Sequence, residues 1–208
     1  MRKILAVVFF IAFIASCGES RKPSRAVEEY SIAILPFHGF SDKRAELIAN
    51  EIALFYHVKV TTLPSVEYFD HAKLAGTERY DARIILKELL KKIPKGYDKI
   101  LGLSDRDIFT EKTVNAVKYS HWGIFGLGYQ PGRACIVSDF RLLKFGKETD
   151  SLVVKVALHE MGHTFGLPHC NRDQRCMMND AKGTVKTLFH ENEWLCAYCA
   201  GVIQKQIQ

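Results

Sequence analysis

The sequence predicts a mixed α/β fold, a small sheet carrying a layer of helices. Three observations predict it. Short apolar runs closed by proline, glycine or polar residues recur along the chain, each with the length of a buried strand. Between them stand segments whose apolar residues recur at helical spacing. Two further helical stretches close the chain, so the order reads β-α-β-α-β-β-β-α-loop-α.

The first run, SIAILPF (31–37), is apolar throughout and ends on proline, as a buried strand does. SDKRAELIANEIALFYH (41–57) opens with Ser41 as a helix cap and places Leu47, Ile48, Ile52, Leu54 and Phe55 at helical spacing. VKVTTLP (58–64) is a second strand stopped by proline. DARIILKELLKKIP (81–94) is a helix with Ile84, Ile85, Leu89 and Leu90 on one face. DKILGLS (98–104) is a third strand. SHWGIFGLGYQPG (120–132) reads as a strand with glycine kinks running into a turn, and RACIVSDF (133–140) as the strand after it, with Cys135 a buried thiol. TDSLVVKVALHEMGHTF (149–165) is a long helix, and ENEWLCAYCAGVIQKQ (191–206) is the last one.

At 208 residues and 48% hydrophobic, the chain fits one domain with a tail. The net charge of +6 is scattered. Its densest cluster, KELLKKIPK (87–95), is the solvated face of a helix, and no nucleic-acid recognition motif accompanies it, so no nucleic-acid partner is expected. The N-terminus, MRKILAVVFFIAFIASC, places Arg2 and Lys3 before an apolar run from Ile4 to Ala15. That run is too short to span a bilayer and suits the core of a signal peptide. Its end, Ile14-Ala15-Ser16-Cys17, resembles a bacterial lipobox, in which the cysteine is lipidated and becomes the mature N-terminus. The expected organisation is a lipoprotein-type signal peptide at 1–16, a flexible tether at 17–30 with almost no apolar content, and a domain at 31–208. The protein is then exported and anchored by lipid on Cys17, facing the periplasm or the cell exterior. An ordinary signal peptide or an uncleaved anchor is the alternative.

HEMGHTFGLPHC (159–170) carries the chemistry. His159 and His163 are four residues apart, about 400° of rotation and 6 Å of rise, so both imidazoles project from one helix face and can share a zinc ion. Glu160 is rotated about 100° from His159. It is poorly placed as a ligand but near enough to take the proton of a water at the metal. Gly166 can adopt the left-handed conformation that ends a helix, and Pro168 prevents its resumption. The turn carries His169 back toward the same ion. Three histidines and an open position are the arrangement of a catalytic zinc site.

HEMGHTFGLPH is similar to the HExxHxxGxxH pattern of metzincin zinc peptidases. Cys170 follows the third histidine, then Cys176-Met177-Met178, then Cys196-Ala197-Tyr198-Cys199. With these the chain resembles the archaemetzincin family, and the stretches 99–109 and 125–142 resemble the family's sheet region. The resemblance covers about residues 31–200 and implies a metzincin-like zincin fold. It implies that His159, His163 and His169 bind a catalytic zinc and that Glu160 is the general base. Met178 would form a hydrophobic floor beneath the metal, with Met177 one residue away as the rival. Cys170, Cys176, Cys196 and Cys199 would bind a second, structural zinc, making two per chain. A Cys-x-x-Cys clamp completed by two upstream cysteines is itself a closed thiolate site; two disulfides are the rival in an exported protein. NRDQR (171–175) separates the first two cysteines by five residues, where the family usually has four.

The implied activity is peptide-bond hydrolysis by a monomer acting on peptide or protein substrates. A strand around 123–128 would pair with extended substrate. Tyr129 and Tyr198 are candidate oxyanion donors, each also readable as a packed or surface aromatic, and His121, near the edge strand, reads as a structural or surface residue before a catalytic one. The other readings are a non-catalytic, zinc-stabilised, membrane-tethered binding module and a hydrolase of non-peptide amides or esters.

Overall fold

The computed structural model describes residues 29–180, 189 and 193–207. The segments expected as signal peptide and, up to residue 28, tether lie outside them, Cys17 included. The chain order is β1 (Ser31–Pro36), α1 (Asp42–Tyr56), β2 (Lys59–Thr62), β3 (Arg79–Asp81), α2 (Ala82–Lys92), β4 (Lys99–Ser104), β5 (Asp107–Val114), β6 (Val117–Ile124), β7 (Gly126–Gly128), β8 (Ala134–Ser138), α3 (Thr149–Thr164) and α4 (Ala197–Ile207).

Five strands form the main sheet in the order β2-β1-β4-β8-β7. The first four are parallel and β7 runs antiparallel to β8 at the edge. Alternation along the buried strands divides the core. Ile32, Ile34, Leu101, Leu103, Cys135 and Val137 face the core shared with α1 and α3. Ala33, Leu35, Ile100, Ala134 and Ile136 face the core shared with α2. Helices therefore cover both faces, where the sequence suggested a single layer. The cause is the strand order: crossovers of one hand that step from β1 to β2 and then back across to β4 put their helices on opposite sides.

A second sheet, β3-β5-β6, contains a hairpin whose first strand the sequence did not reveal. Its far half is exposed and polar, EKTVNAVKYS, so no alternation marks it. Its two-residue turn is Asn115-Ala116, both in the left-handed region, in place of the Asn-Gly that signals such a turn. Ser41 caps α1 as expected, accepting from the Arg44 backbone N–H.

The last helix begins at Ala197, later than the 191 that periodicity suggests. The segment before it is committed elsewhere. The Trp194 carbonyl accepts from the Met177 N–H at 2.7 Å, and the Cys196 N–H faces the Cys176 sulfur at 3.5 Å. Residues 191 and 192 lie outside the described residues.

Lys99 fixes the end of α3 against the sheet. Its Nζ donates to the Gly132 and Thr164 carbonyls at 2.8 and 2.9 Å and lies 4.6 Å from the Phe165 ring centre. Burial lowers its ammonium from 10.5 to about 8. Between those values the unfolded chain holds a proton that the folded chain releases, so this group's contribution to stability rises with pH. Denaturant midpoints of the parent, measured relative to Lys99→Met, should rise from pH 8 to 10.5. A constant difference across that range would contradict the assignment.

Candidate metal centres

α3 is apolar around nearly its whole circumference because it lies between the sheet and α1, with Met177 and Met178 in the same core. Its last turns carry His159, Glu160 and His163. Gly166, at φ +84°, ends the helix in the left-handed region, and its N–H donates to the His163 carbonyl at 2.8 Å. The chain then returns His169 over the helix. The three imidazole centres stand 4.7, 5.0 and 5.3 Å apart, and one ligand nitrogen from each falls within 4.8 Å of the others.

The rings are oriented for an ion. Nδ1 of His159 lies 2.9 Å from the Met177 carbonyl, and Nδ1 of His163 lies 2.7 Å from the Leu167 carbonyl. A carbonyl only accepts, so Nδ1 carries the proton and Nε2 keeps its lone pair free. Burial, aided by the neighbouring His163, lowers His159 to about 4, and burial also lowers His163. Both are neutral at pH 7, the state a ligand needs.

Glu160 is not among the converging ligand atoms. It lines a cavity of about 240 Å³ together with His159 and His169. Protein encloses its other sides, and that burial pushes its carboxyl up to about 8 against the lowering effect of the Gly128 backbone N–H. β7 crosses directly above. Phe125, Leu127 and Tyr129 use their backbone groups toward β8, so those of Gly126 and Gly128 point to the free edge. Met178 sets its sulfur against Gly162, where an added Cβ would lie 2.4 Å away.

The second cluster adjoins the first through the His169–Cys170 peptide bond. Cys170, Cys176, Cys196 and Cys199 are buried, their sulfurs lie within 4.8 Å of one another, and none forms a disulfide. Four sulfurs at about 2.3 Å from a common centre in tetrahedral array stand about 3.8 Å apart. The Cys170 and Cys196 sulfurs are separated by 3.8 Å. Burial opposes ionisation of Cys170, yet the backbone N–H groups of Arg172 and Asp173 and the adjacent Cys196 and Cys176 thiols bring it down to about 7. The five-residue loop between the first two cysteines is held from outside. Arg172 stacks on Tyr198 at 3.8 Å and Arg175 on Trp194 at 5.4 Å. Both donor sets thus suit zinc, one open and one closed.

The sequence profile of peptidase family M54 matches residues 48–205. This chain belongs to peptidase family M54. Among curated relatives, the archaemetzincin of Methanopyrus kandleri is 32% identical over 140 residues, covering 67% of this chain and 74% of its own. That of Natronomonas pharaonis is 30% identical over 162 residues, covering 73% and 84%. The crystal structure of the Methanopyrus kandleri archaemetzincin superposes with a TM-score of 0.70 at 26% identity, over 88% of this chain and 98% of that one. The Archaeoglobus fulgidus archaemetzincin, solved with malonate, gives 0.67 at 26% identity, over 83% and 99%. The M54 chain is a zinc metallopeptidase, a hydrolase with the archaemetzincin fold.

The M54 fold places three sequence candidates away from the cavity. Tyr198 stacks on Arg172 beside the cysteine cluster. Tyr129 packs with the α2-side core. His121 lies edge-on to Phe109 in the hairpin sheet. The M54 cavity also draws on residues no motif marked: Lys112, Trp122, Arg141 and Asp180. No spacing rule links them to the histidines, since they come from the hairpin and two loops.

Gly126 has a steric role here. A Cβ on it would lie 2.5 Å from Cγ of Glu160. Gly126→Ala should displace that carboxylate and lower kcat on the order of 100-fold, with zinc content unchanged. Peptidase assays beside metal analysis would test this, and an unchanged kcat would show that the strand yields instead.

Proposed function

We propose that the chain hydrolyses peptide bonds, with Glu160 as general base at a zinc ion held by His159, His163 and His169, and that Cys170, Cys176, Cys196 and Cys199 hold a second, structural zinc. The observation that carries this is the convergence of three imidazoles beside a carboxyl that is excluded from the ligand set and faces an open cavity. Zinc at the histidines supplies a Lewis acid that polarises the scissile carbonyl and acidifies water. Glu160 takes the proton of the attacking water and returns it to the leaving amine, and its burial, which raises the carboxyl, favours its holding the proton between the two transfers. The free edge at Gly126 offers backbone groups to an extended peptide, fixing its main chain with little side-chain demand. Met178 supports the histidine-bearing turn from beneath through Gly162.

The N-terminal sequence supports the rest of the proposal. Residues 1–16 direct export, Cys17 takes lipid, 17–30 tether the domain, and 31–208 act as a monomeric peptidase at the outer face of a membrane. Among the described residues no helix is long and apolar enough to cross one.

The test is cleavage of a mixed peptide library by the zinc-loaded protein, repeated after chelation and after zinc is restored. Cleavage that disappears and returns, with two zinc ions per chain, is the expected result. Two bound zinc ions with no peptide cleaved would overturn it in favour of a non-peptide substrate or a binding role.

A further inference from the structure

One end of the catalytic cavity is cationic. The cavity that holds Glu160 and His159 is lined at that end by Arg141, Lys112, Trp122 and Gly123. Arg141 lies flat beneath Gly123; a Cβ there would fall 1.9 Å from its Nη2, so only glycine lets the guanidinium reach this position. Asp107 grips it in bidentate fashion, Oδ1 to Nε at 2.6 Å and Oδ2 to Nη2 at 2.9 Å. The same carboxylate also accepts from Arg79 Nε at 2.7 Å. One buried carboxylate between two guanidiniums leaves one positive charge in excess. Nη1 of Arg141 has no partner among the described residues. Lys112 adds a second cation, its Nζ 5.2 Å from the Trp122 ring centre. Of the acidic lining residues, Glu160 lies beneath β7 and Asp180 beside His169.

An ion pair that only tied the hairpin to the β8–α3 connection would account for Arg141 and Asp107 alone. It would not account for the second guanidinium on Asp107, for the unpartnered Nη1, or for Lys112 on the same wall. A planar guanidinium fixed by one carboxylate, with a donor to spare, is built to take another.

Resting on the peptidase reading above, we propose that Arg141 and Lys112 form a specificity subsite that binds a substrate carboxylate next to the scissile bond. The carboxylate is either an acidic side chain or the free C-terminus of a short peptide. Both present the same planar anion to the same guanidinium.

The experiment uses one peptide sequence, a cleaved one where the library is cleaved and otherwise any member of it, in two pairs. In one pair the flanking residue is glutamate or glutamine. In the other the flank is neutral and the C-terminus beside it is a free acid or an amide. The parent should favour the carboxylate member of one pair by about tenfold in kcat/KM, mainly through KM. The pair that shows the preference names the source. Arg141→Met should bring that ratio near one, and Lys112→Met, at an exposed position that does not threaten folding, should lower it. Arg141→Glu combined with Lys112→Glu should invert the preference toward a lysine flank.

Equal cleavage of both members of both pairs by the parent would overturn the subsite, as would an Arg141→Met variant that keeps the full ratio. Calorimetric binding of the same peptides to the zinc-loaded Glu160→Ala protein reads the ratio without turnover. A chain that binds carboxylate peptides selectively but cleaves none would keep the subsite and refute the peptidase reading.

Discussion

Glu160→Gln should lower kcat/KM for a cleaved peptide by about 10²- to 10⁴-fold, the range a positioned acid–base group supplies. Glutamine has the same length and keeps an oxygen to accept from the Gly128 N–H, so the fit beneath Gly126 is preserved. What is lost is the group that can carry a proton. Because Glu160 lies outside the converging ligand set, zinc at the histidines should be retained in full. Steady-state kinetics beside elemental zinc analysis separates the roles. Loss of metal with loss of rate would make Glu160 a ligand, and an unchanged rate would place the base elsewhere.

Cys196→Ser should have the largest effect on stability. The Cys196 sulfur is buried 3.8 Å from that of Cys170, within the group that brings α4 and the 193–196 segment onto the core. A structural zinc site contributes folding free energy directly. Loss of one thiolate should release one zinc per chain and lower the melting temperature by about 10 °C, corresponding to several kcal/mol in a domain of this size. The catalytic centre should weaken as well. Cys170 is bonded to His169, and the carbonyl that orients His159 belongs to Met177, next to Cys176. Unchanged zinc content and melting would refute the second site.

The catalytic helix and its exit turn were legible because helical geometry and a left-handed glycine leave little freedom: given HEMGHTFGLPH, the His159–His163 face and the return of His169 follow. The gathering of the four cysteines was legible from spacing and chemistry, which left zinc and disulfides both open. The carbonyls of Met177 and Leu167, which set the histidine tautomers, were not legible, because any residue supplies a carbonyl and only the fold brings one into place. Arg141 was hidden for a related reason. Its neighbours Asp107 and Gly123 are far from it in sequence, and the hairpin that carries them is polar and turns on Asn115-Ala116. The two-sided helix cover depends on strand order, which periodicity does not encode.

The two arginine–aromatic stacks across the cysteine loop bear on how zinc arrives. Arg172 on Tyr198 and Arg175 on Trp194 join the strand of chain holding Cys170 and Cys176 to the one holding Cys196 and Cys199, and neither contact involves a sulfur. If the cysteines hold zinc as proposed, these contacts should offset part of the entropy of gathering the two halves around it. Removing an ion from that proposed site should then leave a chain that takes zinc again without first refolding.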